Sequence, residues 1–339
     1  MAILIDPPRW PAHGTLWSHL VSDRDYDELH AFAARLSLPR RSFGLDHYDI
    51  PASLYERAVA LGAIAVDARD VVHRLRDSGL RVRHIDRDAT RPIRRRQYLI
   101  AEWAALGTAA GAVRSSRELE AWQRLGDELI ARWNEPHRRY HDEIHLEDVL
   151  LSLDHLGTRG EWLAPETLLA AWFHDAVYQG TATDEEDSAE LAVALLGAHG
   201  LGAGITQHVG ELIVATKPSL AGASRQGAST ELQTAAGPLA HLLDADLAIF
   251  GASDSRYLRY KTAVRAEYAH LPEPDFRRGR AEILQGYLGA PQIYRTTAAR
   301  DLWEHRARTN LEREIGELLG SASDSNARAS TRTRLTEGA

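Results

Sequence analysis

The chain has 339 residues, 44% hydrophobic and 26% charged, with a formal net charge of −8. That length exceeds one ordinary domain, so two are expected; the acidic balance supplies no global basic field for nucleic acid or membrane, while a small phosphorylated ligand held by a local arginine group stays open. With no cysteine, disulfides, thiolate catalysis and Cys-ligated zinc are excluded, and any metal must sit on nitrogen and oxygen ligands, which suit Mn, Fe, Co, Ni, Zn or Mg.

The opening MAILIDPPRW has an acid at position 6 and no basic leader. No run approaches eighteen apolar residues. Neither a signal peptide nor a transmembrane helix is expected, and the protein reads as cytoplasmic. Ala2 to Ile5 is a short apolar strand stopped by Asp6-Pro7-Pro8. Asp25 to Leu36 carries Leu29, Phe32, Ala33 and Leu36 on one helical face. Ser42 to Ile50 is aromatic and β-compatible. Pro51 opens a helix closed by Gly62, Ala63 to Val66 is a strand, Ala68 to Ser78 a helix, and Leu80 to Ile85 a last strand. Strands alternating with helices predict a small α/β domain over residues 1–88.

The segments ILIDPPRWPAHGTLWSHLVSD, LDHYDIP, GAIAV and RDVVHRLRDSGLRV make residues 1–86 similar to a small bacterial family of unknown function, DUF4031. The resemblance implies no known chemistry. The unit also holds a polar set: Asp6, Arg9, His13, His19, Asp46, His47 and Asp49. An Asp at a strand end near a His-Tyr-Asp can bind a ligand or metal. Equally, the acids cap turns and the histidines sit at the surface.

Residues 89–115 read as a linker or transition, with a helix from Gln97 to Leu106 broken by Gly107 to Gly111. From Ser115 the pattern is helical almost to the end: Ser115 is an N-cap with Glu118 in the first turn, and Leu119, Trp122, Leu125, Leu129 and Trp133 form one stripe. Pro165 opens another helix. Further helices are expected at Asp187 to His199, His208 to Thr216, Ala240 to Phe250, Asp254 to His270, Phe276 to Leu288 and Thr297 to Leu319. Ser219 to Gly237 reads as a mobile loop. The whole predicts an α+β two-domain protein, its all-α domain spanning residues 116–320, with a disordered tail at 321–339.

The chemistry concentrates in three segments. WNEPHRRYHDEIHLEDVLL contains His141 and His145, four apart, which a helix would place on one face. AAWFHDAVY contains His174 and Asp175, and HLLDADLAIF contains Asp244 and Asp246. Histidine, then His-Asp, then aspartate, each on an apolar segment, is the ligand set of one metal centre between packed helices. Burying those polar groups without a cation would be costly. Candidate phosphate grips are Arg138, Arg265, Arg280 and Arg308, whose guanidinium forks match two oxygens, and Lys217, which offers a point charge.

With EPHRxYHxxxH, AAWFHDAVY and LLDADLAIF quoted in order, residues 116–319 resemble the HD superfamily of metal-dependent phosphohydrolases. The resemblance implies one divalent cation on His145, His174, Asp175 and Asp246. Asp246 is preferred to Asp244 because it occupies the ADL position that carries the ligand in that superfamily. YHDEIHLEDV also resembles a segment of the cyclic-nucleotide phosphodiesterases, which implies His141 as proton donor to a leaving oxygen; alternatively His141 fixes His145 or a substrate phosphate. Arg138 is the first choice for the phosphate, and Asp175 for orienting or deprotonating water. His199, His208 and His241 match no dinuclear pattern. Asp184, Glu185 and Glu186 either hold metal-bound water or form a negative first turn. The expected activity is hydrolysis of a phosphomonoester, on a nucleotide or related small phosphorylated metabolite. Alternatives are a phosphodiesterase on a cyclic nucleotide or RNA end, a non-catalytic nucleotide sensor or scaffold, and iron oxygenase chemistry.

Overall fold

The computed structural model describes residues 2–12, 15–217 and 237–336, with side chains as far as residue 320. His13, nearly all of the loop expected at Ser219 to Gly237 and the last three residues therefore lie outside the described residues. The architecture is mixed: a small N-terminal sheet unit and a mostly helical remainder. The chain divides into two compact units, residues 1–102 with 154–160, and residues 103–153 with 161–339.

The first unit runs β1 (Ile3–Ile5), β2 (Trp10–Ala12), β3 (Thr15–Ser22), α1 (Tyr26–Arg35), a 3-10 turn at Arg40–Ser42, β4 (Tyr48–Pro51), α2 (Ala52–Ala60), β5 (Ile64–Ala65) and α3 (Ala68–Asp77). β3 is the long central strand. It pairs antiparallel with β1, with β2 and, on its other side, with β4; β5 joins β1 in parallel. Strand side chains alternate between faces. Ile3, Ile5, Leu20, Tyr48 and Ile50 pack with Leu29, Phe32 and Ala33 of α1 and Ala58 of α2. Leu4 and Val21 pack with Val71 and Leu75 of α3 on the opposite face. The sheet is thus covered on both sides.

The β2–β3 hairpin has no counterpart in the sequence expectation, because Ser18 and His19 interrupt the apolar signal of β3. The strand expected at Leu80 to Ile85 does not form. The Val82 N–H donates instead to the Asp46 carboxylate at 2.7 Å, and His84–Asp86 is a 3-10 turn. Residues 87–109 form one helix, α4 (Arg87–Ala109), rather than a linker. Its Pro92 forfeits one helical hydrogen bond, and the arginines around it are good helix formers.

A half-buried histidine lies beside this unit's core. His30 Nδ1 lies 2.9 Å from the Tyr48 hydroxyl. Burial, reinforced by the charges of Arg40 and Arg94, pushes its pKa down to about 3. In the unfolded chain it titrates near 6.5. Below that value the unfolded state binds a proton that the folded state refuses, so stability is complete above about pH 6.5 and falls as pH drops toward 3. The slope contributed by His30 approaches about 1.4 kcal/mol per pH unit. Denaturant titrations of wild type and His30→Gln across this window should show a shallower acid loss in the variant.

The second unit contains α5 (Ser116–Trp133), α6 (Glu143–Thr158, whose end from Asp154 belongs to the first unit), α7 (Pro165–Phe173), α8 (Asp184–Ala198), α9 (Ala203–Val214), α10 (Pro238–Asp246), a 3-10 turn at Leu247–Gly251, α11 (Asp254–Glu267), α12 (Glu273–Gly289), and α13 (Thr297–Ala299), which passes through a π-helical turn at Arg300–Glu304 into α14 (His305–Thr336). The Ser115 hydroxyl caps α5 by accepting from the Glu118 N–H at 3.3 Å, while the Glu118 carboxylate accepts from that hydroxyl at 2.9 Å. The helical backbone of α14 runs through residue 336, within the segment where a disordered tail is expected.

Tryptophans organise this unit's core. The Trp103 and Trp122 rings stack with centroids 4.2 Å apart and planes 1° from parallel. Each indole N–H donates to the other residue's carbonyl at 2.7 Å. Trp172 of α7 meets Trp103 edge-on at 4.9 Å, and the Trp133 indole donates to the Trp172 carbonyl at 3.1 Å. These contacts fix the end of α7, which is where His174 and Asp175 follow.

Candidate metal centre

The helix expected to carry both His141 and His145 starts only at Glu143. His141 therefore lies in the preceding turn, and the four-residue spacing does not stack the two rings on a helix face. Asp142 breaks the run by capping α6, accepting from the Ile144 N–H at 2.8 Å and the His145 N–H at 3.3 Å. His145 is held in the first turn of α6 and is buried.

His174 caps the C-terminal end of α7, and its Nδ1 lies 3.0 Å from the Ala171 carbonyl. Donating there leaves Nε2 as the site-facing nitrogen. Asp246 is the last residue of α10. Three segments thus deliver their polar atoms to one point. His145 Nε2 lies 3.2 Å from His174 Nε2, 3.2 Å from Asp246 Oδ1 and 3.8 Å from Asp175 Oδ2. His174 Nε2 lies 3.1 Å from Asp175 Oδ2 and 3.7 Å from Asp246 Oδ1. Ligands each about 2.1 Å from a shared cation sit roughly 3.0–3.4 Å from one another, depending on coordination geometry, so the cluster has the size of a coordination shell. His145, His174 and Asp246 also qualify together as a group able to hold an ion.

The electrostatics are those of a strongly coupled cluster. Burial opposes charge on His174, yet the carboxylates of Asp175 and Asp246 raise its pKa to about 9. Burial likewise opposes charge on Asp175 and Asp246; the neighbouring imidazoles nevertheless pull both down, Asp175 well below the ordinary carboxylate range.

Beside the cluster, His141 Nδ1 lies 2.7 Å from Glu267 Oε2. Glu267 Oε1 accepts from the N–H groups of Arg139, Tyr140 and His141 at 2.9, 2.7 and 2.9 Å, and the Tyr178 hydroxyl donates to Oε2 at 3.0 Å. Burial works against both charges. The hydrogen bond nevertheless raises His141 and brings Glu267 down to about 2. Arg265, a candidate phosphate grip two residues earlier on α11, pairs with Glu273 at 2.8 Å. The signal for Glu267 was absent because it lies 126 residues from His141.

Arg138 does not reach out as a phosphate grip. Its guanidinium is fully buried and bonds the carbonyls of His141 at 2.9 Å, Asp175 at 2.8 Å and Ala176 at 3.2 Å, with Glu135 at 3.2 Å. It clamps the His141 turn to the chain following α7. The other candidate cations are equally engaged: Lys217 with Glu186 at 2.7 Å, Arg280 with Glu314 at 3.0 Å and the Tyr260 hydroxyl at 2.8 Å, and Arg308 with Glu304 at 2.8 Å and three carbonyls.

Asp244 is fully buried and accepts from the Arg295 and Thr296 N–H groups, both at 2.7 Å, so it braces the loop before α13 while Asp246 faces His145. Asp184 accepts the N–H groups of Gln179, Gly180 and Thr181, a turn cap. Glu185 retains an influence from Asp175, which together with burial raises its pKa. His137 bonds the Tyr178 carbonyl, His199 the Leu195 carbonyl and His241 the Glu161 carboxylate; with His208, they stand outside the cluster. Asn310 bonds the carbonyls of Phe250 and Ala252, and the Tyr294 hydroxyl bonds that of Leu247, so both hold the turn following Asp246.

A cavity of about 330 Å³ opens against His141 and Asp246 and is lined chiefly by aromatic and aliphatic side chains, among them Tyr140, Phe250, Tyr260 and Phe276.

The two-unit architecture thus places one sheet unit and one helical unit in the chain, each with a histidine–aspartate cluster. Residues 3–78 match the model of a family described as a protein of unknown function (DUF4031), as the resemblance of the N-terminal segments implies. No curated protein and no solved structure matches the chain. Among the described residues, no helix is long and apolar enough to cross a membrane.

Proposed function

We propose that the helical unit is an HD-type metal-dependent phosphohydrolase acting on a nucleotide or a related small phosphorylated metabolite. The observation that carries this reading is the convergence of three distant segments, in which the Nε2 atoms of His145 and His174 lie 3.1 to 3.8 Å from each other and from the carboxylates of Asp175 and Asp246. Two imidazoles and two carboxylates form a donor set that a divalent cation of the Mn, Fe, Co, Ni or Zn type accepts. Bound there, such a cation supplies Lewis acidity toward a phosphoryl oxygen and toward water.

The chain's own groups supply the rest. His141 binds a proton tightly because Glu267 holds its Nδ1, leaving Nε2 as the atom that delivers a proton to the leaving oxygen. Asp175, with its depressed pKa, is a poor base, so it binds and orients rather than takes a proton. The aromatic cavity offers flat apolar walls to a nucleobase-sized group. Arg138 positions His141 and Asp175 through their carbonyls and does not touch substrate.

Replacing Glu267 by Gln should lower kcat by about 10²-fold, within the usual span for general acid–base catalysis. It should also move the alkaline limb of the pH–rate profile to lower pH, because His141 then loses its proton more easily. A drop in rate with an unmoved limb would assign Glu267 to scaffolding alone.

The direct test is a panel of nucleotides and other phosphoesters supplied with Mn²⁺, read as phosphate release. Absence of turnover on every phosphoester, together with thermal stabilisation by a nucleotide, would replace hydrolysis with nucleotide sensing. One observation favours a second reading, a phosphodiesterase. Among the described residues, all five candidate cations are already paired, which suits a diester with its single negative charge better than a dianionic monoester. Comparing bis-(4-nitrophenyl) phosphate with 4-nitrophenyl phosphate separates the two.

A further inference from the structure

The first unit contains a second cluster, and it follows from strand register. β3 pairs with β4 so that His19 stands opposite Asp49. β1 pairs with β3 so that Ile5 stands opposite Leu20; one residue further, the Asp6 N–H donates to the His19 carbonyl at 3.3 Å. Asp6, His19 and Asp49 therefore form a row across three adjacent strands. Directly paired antiparallel residues point to the same face, and alternation brings His47, two residues before Asp49, to that face as well. It is the face that carries Leu4 and Val21 under α3; beyond the cover of α3 the sheet presents these polar side chains instead.

Each histidine is oriented by a buried carboxylate. His19 Nδ1 lies 3.0 Å from Asp6 Oδ2, and the other Asp6 oxygen accepts from the His19 N–H at 2.5 Å. His47 Nδ1 lies 2.6 Å from Asp46 Oδ1, whose second oxygen accepts from Val82. Both acids are 1% exposed, so neither is free to turn toward solvent. With each Nδ1 committed, the two Nε2 atoms face the same Asp49 oxygen, at 3.9 Å for His19 and 3.5 Å for His47. These are too long for hydrogen bonds, but close to the roughly 3.4 Å edge of a tetrahedral shell. One ligand atom from each of the three residues lies within 4.8 Å of the other two. A carboxylate holding the far nitrogen of each of two converging histidines is the arrangement that fixes metal-binding imidazoles.

We propose that His19, His47 and Asp49 hold a divalent transition-metal ion, with Asp6 and Asp46 orienting the two imidazoles. Two nitrogens and one oxygen select a borderline ion such as Zn²⁺, Fe²⁺ or Co²⁺ over Mg²⁺ or Ca²⁺. Three protein ligands, with the Asp49 side chain half exposed, leave a coordination position facing solvent for water or a small anionic ligand, as in open rather than closed metal sites. All five residues lie within the segment that matches the family of unknown function, so the site belongs to that unit and is independent of the hydrolase reading.

The test uses the tag-free full-length chain, stripped of metal and titrated with Co²⁺ alone, in a His145→Ala/His174→Ala background that removes the helical cluster. The expected result is one equivalent of Co²⁺ per chain with a visible absorption band. That equivalent should vanish in His19→Gln/His47→Gln, and Asp6→Asn should weaken it about 10- to 100-fold, the usual cost of losing a partner behind a ligating histidine. If the double substitution disturbs the sheet, Asp49→Asn at its exposed position decides, with an expected loss of at least tenfold in affinity. No Co²⁺ uptake by the background protein, or uptake unchanged in the His19/His47 and Asp49 variants, would overturn the proposal and leave two His–Asp ion pairs.

Discussion

Replacing His145 with alanine should abolish phosphoester hydrolysis while leaving the helical unit folded. The residue contributes Nε2 to contacts with His174, Asp175 and Asp246, so its loss removes one donor and opens one side of the cluster. Lewis-acid stabilisation by a bound cation is worth several kcal/mol, and each 1.36 kcal/mol is tenfold in rate; a fall of about 10³-fold or more is expected. A second readout needs no substrate. A cation binding only the folded state at 100 times its Kd adds about 2.7 kcal/mol of stability. In a His19→Gln/His47→Gln background, Mn²⁺ should raise the Tm of the chain, and His145→Ala should erase that rise. Cation affinity should also increase with pH, because His174, held to about 9 by its carboxylate neighbours, must give up its proton to bind. Hydrolysis and Mn²⁺-dependent stabilisation that both survive His145→Ala would remove the cluster from any role in metal binding.

Gly126→Ala should destabilise the helical unit by about 3 kcal/mol or more, at the upper end of overpacking effects. Gly126 lies on α5, where the Trp103 ring rests on its Cα. A Cβ there would sit 2.3 Å from Trp103 Cδ1 and 2.7 Å from Nε1. The ring has nowhere to go, since it is stacked on Trp122 at 4.2 Å, meets Trp172 edge-on and donates its N–H to the Trp122 carbonyl. The same wall fixes α7 and hence His174, so surviving folded protein should also show a smaller Mn²⁺-dependent rise in Tm from the proposed cation site. Gly316→Ala is the control of opposite sign. It lies inside α14 with nothing within 4 Å of its Cβ position, and alanine there should stabilise by up to about 1 kcal/mol. Chemical denaturation of the three proteins measures both effects; equal stability of wild type and Gly126→Ala would refute the packing argument.

Several features were legible in the residues themselves because they depend on local chemistry. Ser115 with Glu118 marks the start of α5 through mutual capping, and Pro165 marks the start of α7. The amphipathic stripe of α1 and the strand–helix alternation of the first unit come from side-chain periodicity, which is a property of neighbours in sequence. His145, His174, Asp175 and the Asp244/Asp246 pair stood out as polar groups on apolar segments, which demand partners when buried; the choice of Asp246 came from the resemblance, and His145, His174 and Asp246 do meet.

What local pattern could not supply was the partner of any group whose mate lies far along the chain. Asp244 and Asp246 are two residues apart and similar in context, but only the fold gives one to the Arg295–Thr296 backbone and the other to His145. Arg138 reads in sequence as a free cation beside the candidate metal cluster and is instead a clamp, because carbonyls left over at the end of α7 and in the His141 turn need donors. Glu267 had no local signal and emerged as the group that holds His141.

The sequence by itself determined the two-part organisation, the absence of cysteine chemistry and the list of candidate histidine and aspartate donors, since these are composition, periodicity and residue type. Only the tertiary structure decided which donors share a point, which cations are already spent, and that Asp6, His19 and Asp49 align in one row, because strand register and helix packing are set by burial across the whole core rather than by neighbouring residues.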